Sequence, residues 1–303
     1  MRVMIISHDP MLFPCGMSRS GTTLLTTIFD SHSNVSMGYE LIPAVMPGPE
    51  QLVEILRQGT ALSGGDFSNT GKLLRRSGYA QEGLFFTRCY RAGLEEDEML
   101  QVLEEMARAG MKEIATFQDR LFTAWIASRV GATKRKADRY GFKLNISSVE
   151  KAYTFFPHGR LIYILRDPRD VVASHLQRKF NRTIPDVCHA WNNYIQSFEL
   201  FCEHVPGRGR VLRYEDLVRN AHAEIAGILE FLQLDPEAGV YEFYRSKAGV
   251  HTFGHPNAEN LKKPFFTSSI GRWKKELAPE QVEQIEELCC DHMKTHGYLG
   301  VGV

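Results

Sequence analysis

The stretch Cys15-Gly16-Met17-Ser18-Arg19-Ser20-Gly21-Thr22-Thr23-Leu24-Leu25 does most to decide the fold of this 303-residue chain. It has the G-x-x-x-x-G-x-T spacing of a phosphate-cradling loop, but Thr22 stands where a nucleotide triphosphatase has lysine. Glycines let the backbone approach an anion, and a helix N-terminus presents unpaired N–H groups with partial positive charge. The stretch therefore predicts a phosphate-binding site that lacks the lysine with which nucleotide triphosphatases bind the triphosphate. The alternative is a Gly/Ser turn that caps an ordinary helix.

The flanks of this loop read as a strand end, over Met11–Phe13, and a helix from Thr22 to Phe29. The hydroxyls of Ser20, Thr22 and Thr23 add donors, and Arg19 adds a permanent cation with several N–H groups. The full string after an apolar segment favours phosphate binding over a simple cap.

A second anchor follows the apolar run 160–165, which is typical of a buried parallel strand. Arg166 leaves this strand, and an arginine there is costly to place without an anionic partner. Ser174 lies eight residues on and Arg178 four residues after it, so all three could face one phosphate. The alternative is a structural Arg–Asp pair closing the turn, which fits Arg169 and Asp170 and also Arg178.

Strands alternate with helices along the chain, which predicts an α/β fold with a central parallel sheet, P-loop-type, and helices on both faces. We expect one domain over 1–303, with the variable segment 43–130 as a helical insertion covering the substrate. Within it, 43–93 reads as short helices and loops such as Pro49–Gln58. Further expected elements are strands at Val35–Ile42, Tyr140–Leu144 and Arg210–Tyr214, and helices at Leu94–Ala109, 112–130, 147–156, Asp170–Arg178, Ile184–His204, Ala221–Phe231 and Pro279–Gly297.

The amino-acid composition argues against several classes of protein. The 36 basic and 36 acidic residues cancel, which argues against a general nucleic-acid or membrane-surface role. Six cysteines form no C-x-x-C pairs, which indicates free thiols in a reducing compartment. No signal-peptide or membrane-spanning run is present, so we expect a cytoplasmic protein. Nothing in the sequence indicates a particular oligomeric state.

The loop resembles the 5′-phosphosulfate loop of sulfotransferases that use 3′-phosphoadenosine 5′-phosphosulfate (PAPS), usually P-R-S-G-T-T or P-K-S-G-T-T. Ser18 replaces the proline here. The stretch Leu165-Arg166-Asp167-Pro168-Arg169-Asp170-Val171-Val172-Ala173-Ser174 is similar to the 3′-phosphate motif of the same family. The resemblance assigns the 5′ end of PAPS to Arg19, Ser20, Gly21, Thr22 and Thr23, and the 3′-phosphate to Arg166 and Ser174, with Arg178 matching a further arginine of the tyrosylprotein branch.

Two later motifs extend the resemblance to residue 273. Val211-Leu212-Arg213-Tyr214-Glu215-Asp216-Leu217 is similar to the family's Y-E-D-L strand end, whose tyrosine lies near the cofactor. Ser268-Ser269-Ile270-Gly271-Arg272-Trp273 resembles the G-x-W element that closes over it, which implicates Ser269 and Arg272. Four motifs in order are far more specific than any one.

The reaction that this resemblance implies is in-line transfer of a sulfuryl group from PAPS to an acceptor hydroxyl, without a metal. Lys143 matches a strand-end lysine of the cytosolic branch, but Asn145 replaces its histidine base. Glu40, 21 residues beyond Arg19, matches a glutamate of the tyrosylprotein branch and is our expected general base. Glu40 could alternatively be a surface carboxylate. Lys143 and Arg19 are expected to neutralise the leaving phosphate.

Two other functions stay open. A P-loop kinase is weakened by the missing loop lysine, and a silent nucleotide-binding module is weakened by Arg19, Glu40 and Lys143. The expected acceptor is a carbohydrate, a small-molecule alcohol or a phenol. His175 and His189 are open as substrate contacts. We expect the glycine loop and Arg166 to lie within the span of one nucleotide.

Overall fold

The computed structural model describes residues 12–39, 47–91, 93–110, 137, 139–144, 149, 158–178, 182–245 and 258–299. Several sequence-based predictions fall outside these residues. They are the helix at 112–130, nearly all of that at 147–156, and the residues Glu40 and Asn145.

A five-stranded parallel sheet forms the centre of the fold, in the order β2-β3-β1-β4-β5. The strands are β1 (Leu12–Cys15), β2 (Val35–Tyr39), β3 (Arg139–Lys143), β4 (Arg160–Leu165) and β5 (Gly209–Arg213). Because all of them are parallel, their carboxyl ends meet at one edge, where ligands collect in open α/β sheets. The predicted parallel sheet is confirmed.

Both faces of the sheet are buried, as the run 160–165 predicts. In β4, Leu161, Tyr163 and Leu165 belong to one apolar core, whereas Ile162 and Ile164 belong to the other. Helix α1 (Thr22–Asp30) packs in the second core, as Leu25 and Ile28 show. Period-2 alternation sends successive side chains to opposite faces, so a strand covered on both sides is apolar throughout.

Four helices follow β2: α2 (Pro49–Ser63), α3 (Phe67–Arg76), α4 (Ala80–Arg91) and α5 (Glu96–Arg108). The sequence predicted only short helices and loops over 43–93, so the first three of these helices are longer and more regular than expected. A Cβ on Gly71 would lie 2.3 Å from the Gly83 carbonyl oxygen, and one on Gly83 would lie 2.4 Å from the Gly71 carbonyl oxygen. These glycines are helical, and they let α3 and α4 pack backbone against backbone.

The other α-helices within the described residues are α6 (Pro168–Gln177), α7 (Ile184–His204), α8 (Tyr214–Arg219), α9 (Ala221–Leu232), α10 (Ala238–Tyr241), α11 (Ala258–Leu261), α12 (Trp273–Glu276), α13 (Pro279–Leu288) and α14 (Cys290–Thr295). The single helix expected over Pro279–Gly297 was wrong. Cys289 interrupts it, buried with its thiol hydrogen-bonded to Cys188 of α7. Tyr214, expected to end a strand, begins α8 instead, with Glu215 and Asp216 in its first turn.

All six cysteines lie in described residues, and no disulfide joins any two of them. The adjacent Cys289 and Cys290 differ in environment: the first is buried and the second is partly exposed. Within the described ranges, no helix combines the length and the apolar character needed to cross a bilayer.

Candidate functional site

The glycine-rich loop between β1 and α1 can adopt its path only with glycine at two positions. Gly16 and Gly21 have φ of +148° and +103°, in the region that side chains rarely adopt. A Cβ on Gly16 would lie 2.5 Å from the Ile164 carbonyl oxygen, and one on Gly21 would lie 2.7 Å from the Tyr214 ring. The loop is therefore drawn tightly over the ends of β4 and β5, with the N-terminus of α1 behind it.

Arg166, at the carboxyl end of β4, ties this loop to the C-terminal part of the site. Its guanidinium donates to the carbonyl oxygen of Arg19 at 2.9 Å and to that of Ser269 at 2.5 Å. It also stacks 4.6 Å above the ring of Tyr214 and lies 3.8 Å from the carboxylate of Asp170. The guanidinium thus lies against the glycine loop, as expected if one nucleotide spans both.

The two predicted phosphate sites are contiguous, since Arg19 Nε donates to Ser174 Oγ at 2.9 Å. Arg19 has a positive φ of 76°, in the left-handed region that non-glycine residues rarely enter. Arg19 adopts this conformation where the loop turns, and its side chain extends toward Ser174 of α6. The Arg19 side chain therefore joins the end of β1 to the helix that follows β4.

A cavity of about 460 Å³ opens beside these groups. It is lined by most of the predicted residues, namely Arg19, Gly21, Thr22, Thr23, Lys143, Arg166, Ser174, Tyr214, Ser269 and Arg272. Lys143 Nζ donates to Thr23 Oγ1 at 3.3 Å, which brings the end of β3 to the start of α1. Among the described residues that line this cavity, none carries a carboxylate. Its chemistry suits an anion.

The electrostatics of the loop agree with that character. Burial, followed by the charges of Arg178, Arg166 and Arg272, lowers the pKa of Arg19 to about 10. Neighbouring positive charges destabilise the charged form of an arginine, and an anion bound among them stabilises that form. Arg19 therefore stays charged at neutral pH, and a bound phosphate would relieve the repulsion around it.

Asp170 fixes the C-terminal segment over the cavity. Its carboxylate accepts hydrogen bonds from the backbone N–H of Gly271 at 2.8 Å and from that of Trp273 at 3.1 Å. Burial raises the pKa of Asp170, whereas the charge of Arg166 and these two N–H groups oppose the rise. The hydroxyls of Tyr214 and Ser269 share a 2.6 Å hydrogen bond. These contacts explain why a segment a hundred residues downstream returns to the loop.

The alternative interpretation, in which Arg169 and Asp170 are structural residues at the strand–helix turn, fits the contacts of both. Arg169 pairs with Asp167 at 2.8 Å and with Glu286 of α13 at 2.6 Å, and it stacks on Trp273 at 4.2 Å. Asp170 instead pairs with Arg166 and accepts hydrogen bonds from the backbone of Gly271 and Trp273. Arg169 is thus a structural residue, as the alternative interpretation proposed.

Some of the predicted residues lie off the cavity wall. Ser20 is buried beneath the loop, and Arg178 is exposed at the end of α6, where its charge still reaches Arg19. His175, left open in the sequence, contacts the loop through its Nε2, 3.0 Å from Ser18 Oγ, and burial lowers its pKa. His189 is exposed on α7. Glu40 lies outside the described residues.

The sequence missed the far wall of the cavity, formed by Arg91 of α4 and a basic and aromatic stretch near α11. The string Lys262-Lys263-Pro264-Phe265-Phe266 was visible, but nothing in its spacing linked it to the loop. Arg91 gave no signal, since it closes an amphipathic helix like many surface arginines. Phe243 joins this wall and contacts Phe265, with ring centroids 5.0 Å apart.

The fold and this cavity define a class: an α/β protein with a phosphate-binding loop, in which arginine and serine side chains from a second strand–helix junction complete the anion site. A family model, described as "Sulfotransferase family", matches residues 10–238. The chain belongs to the sulfotransferase family. The fold and family implied by the four sequence motifs are confirmed.

Relatives within this family have differing acceptors in their names. The chain is 32% identical over 150 residues to carbohydrate sulfotransferase 4 of Mus musculus, covering 46% of this chain and 37% of that protein. It is 22% identical over 276 residues to protein-tyrosine sulfotransferase 1 of Danio rerio, covering 87% and 65%. The chain thus spans about a third to two thirds of the length of these curated relatives.

Among solved structures, the sulfotransferase domain from the curacin biosynthetic pathway is similar in fold. It aligns with a TM-score of 0.60 at 17% identity, covering 92% of this chain and 97% of that one. The likeness extends over the sheet and its helices and supports the fold.

Proposed function

We propose that this protein transfers a sulfuryl group from PAPS to an acceptor hydroxyl. One observation carries the proposal: Arg166 binds the carbonyl of Arg19 while Arg19 contacts Ser174, so both predicted phosphate sites face one cavity. Four family motifs supply those residues. A single domain over 1–303 is part of the same proposal.

The residues of the cavity fit the charge of PAPS. The N-terminus of α1, the hydroxyls of Thr22 and Thr23, and Arg19 would hold the 5′-phosphosulfate. Ser174 and Arg166 would hold the 3′-phosphate, with Arg178 adding charge from the end of α6. Arg166 Nε is buried with no acceptor within the described part of the chain, so it has a donor to spare. A buried unsatisfied donor costs about 1–3 kcal/mol, which a phosphate oxygen would recover.

The apolar wall suits a purine base. Phe243, Phe265, Val218 and Leu261 are apolar residues of the cavity lining. Aromatic side chains can stack on any base, because every base has a π-face. PAPS and ATP share adenine, so the preference for PAPS would come from the groups that hold its 3′-phosphate.

PAPS supplies an activated sulfuryl group when bound, and the protein must neutralise the departing phosphate. We assign this role to Arg19 and Lys143, and the hydrogen bond from Lys143 to Thr23 at the start of α1 supports the assignment of Lys143. Glu40 is proposed to take the acceptor's proton. Its neighbour in sequence, Tyr39, pairs with Lys143 in the β2–β3 register, which supports a role beside the same lysine.

The acceptor is proposed to be a carbohydrate, a small-molecule alcohol or a phenol. The names of the mouse and zebrafish relatives include a carbohydrate and a protein tyrosine, both of which present a hydroxyl. Arg91 brings the end of α4 to the cavity, which supports the view that the helices after β2 cover the substrate.

Calorimetric titration with 3′-phosphoadenosine 5′-phosphate (PAP) and, separately, with Mg-ATP tests the donor assignment. We expect tight PAP binding that Ser174→Ala weakens, and weak Mg-ATP binding. Arg245→Lys, at an exposed ion pair with Glu242, is the matched control and should bind PAP as the wild type does. Tight Mg-ATP binding with no response to PAP would replace the proposal by a kinase.

A label-transfer screen separates the enzyme from a silent binding module. We expect labelled sulfate to move from PAPS to at least one hydroxyl acceptor in a single turnover. If PAP binds tightly but label never leaves PAPS across carbohydrate, alcohol and phenol panels, the binding module is the better description.

A further inference from the structure

A second group of ligand-type side chains lies away from the cavity, where α14 packs on α7. Glu199 of α7 faces His292 of α14 and His296, which follows α14. One carboxylate oxygen of Glu199 is 4.0 Å from His292 Nδ1 and 3.5 Å from His296 Nε2. The three ligand atoms lie within 4.8 Å of one another.

His296 Nε2 is a buried nitrogen that faces the Glu199 carboxylate at 3.5 Å, the long limit of a hydrogen bond. Its side chain is only 17% exposed, and that of His292 is 25% exposed. The same Glu199 oxygen faces both rings, so it cannot hold either of them closely. A cation bound by all three side chains would satisfy both nitrogens at shorter distances.

The ligand set and its spacing match a transition metal better than Mg²⁺ or Ca²⁺. Two imidazoles four residues apart with one carboxylate are ligands that Zn²⁺ prefers, whereas Mg²⁺ and Ca²⁺ take mostly oxygen. In a tetrahedral site with bonds of about 2.1 Å, ligand atoms stand roughly 3.4 Å apart. The observed 3.5 and 4.0 Å need only small side-chain rotations to reach it.

We propose that Glu199, His292 and His296 form a Zn²⁺ site, with a fourth position left for water. The site is independent of the sulfuryl-transfer proposal, because none of its ligands lines the cavity.

The metal would fasten the C-terminal helix to the core under the anion site. The ring of His292 lies 6.3 Å from that of Trp191 on α7, and the indole of Trp191 donates to the Arg166 carbonyl at 3.0 Å. Arg213 is a neighbouring cation, since its Nη1 would lie 3.5 Å from a Cβ built on Gly297, the residue after His296. Its guanidinium also lies 4.5 Å from the centre of the Tyr298 ring and 3.7 Å from the Asp216 carboxylate. The Glu199 carboxylate would offset this positive charge at the metal.

The test is Zn²⁺ binding by the metal-stripped full chain, followed by calorimetry and by thermal unfolding. We expect one Zn²⁺ per chain and a higher unfolding temperature with Zn²⁺ than with Mg²⁺ or Ca²⁺. His292→Ala and His296→Ala should each weaken binding at least tenfold, since even supporting partners of metal ligands cost about 10–100-fold when removed. His189→Ala, an exposed histidine on α7, should leave it unchanged.

Thiols could mimic the result, because Cys290 and Cys202 lie near the ligands in sequence and are partly exposed. Cys290→Ser and Cys202→Ser should each retain Zn²⁺ binding. Co²⁺ in the wild type should give the intense visible absorption of a tetrahedral site without a thiolate charge-transfer band. This readout stands even where a histidine variant fails to fold. A thiolate band, loss of binding in either serine variant, or no Zn²⁺ bound by the wild type would overturn the proposal.

Discussion

Replacing Arg166 by lysine tests the central junction of the site, because it keeps the charge and removes the planar fork. Arginine at this position donates to two carbonyl oxygens, those of Arg19 and Ser269, and stacks on Tyr214. A lysine ammonium is a point charge that can meet one of these oxygens but cannot bridge both and stack as well.

The expected loss follows from those contacts. One hydrogen bond from a charged donor contributes about 1.5–3 kcal/mol. The stacked cation adds about 2 kcal/mol, because both the guanidinium and the ring are buried. Arg166→Lys should therefore lower the free energy of unfolding by roughly 3.5–5 kcal/mol. Urea denaturation followed by circular dichroism measures it as a lower midpoint at an unchanged slope.

The same substitution should weaken PAP binding by at least about tenfold, because the loop carbonyl loses its anchor and the 3′-phosphate loses the spare Nε donor of Arg166. Arg245→Lys changes an exposed pair and should alter stability by less than about 0.5 kcal/mol. If Arg166→Lys matches that control in both stability and PAP affinity, the bridge between the loop and the C-terminal segment does not hold the site together.

Three further substitutions extend the test. Glu40→Gln should keep PAP affinity and lose most turnover, measured by pre-steady-state label transfer; near-normal rates would remove Glu40 from the base role. Lys143→Met should lower turnover by roughly a hundredfold or more, the usual effect of losing one transition-state donor, while calorimetric PAP affinity changes less. Burial lowers the pKa of His175, so as pH falls the unfolded chain takes up a proton at this residue before the folded chain does. The free energy of unfolding of the wild type should therefore decrease as pH drops below about 6.5. His175→Gln should reduce this dependence on pH. An unchanged urea midpoint between pH 7 and 5 in the wild type would contradict that assignment.

Much of the sheet could be predicted because its signal is local. The run 160–165 is apolar throughout, and β4 is buried on both faces. Arg166 and the glycine loop were expected to meet because parallel strands end at one edge. That inference needed only the strand assignments, and the 2.9 Å contact between Arg166 and the Arg19 carbonyl agrees with it.

The helices after β2 were harder to predict, because glycine is found both in loops and where two helices pack closely. Gly71 and Gly83 lower helix propensity by about 1 kcal/mol each, which favours a loop. Their cost is offset by the close approach of α3 and α4, which a Cβ at either position would prevent. A tertiary contact of this kind has no periodicity in the sequence. The far wall of the cavity could not be predicted for the same reason, since Arg91 and Phe265 come to one cavity only in three dimensions.

Two arginines of the site region show how a ligand-binding cation differs from a structural one. Burial works against the charge of Arg169, yet its pKa is raised because Asp167 and Glu286 lie against it. The pKa of Arg19 is lowered, because burial and three neighbouring guanidinium groups all oppose its charge. A fold that needed Arg19 only for packing would gain by replacing it with a neutral residue. Concentrated positive charge in a cavity whose described lining carries no carboxylate makes physical sense when an anion completes it. PAP should thus raise the unfolding temperature well beyond what equal ionic strength of chloride achieves.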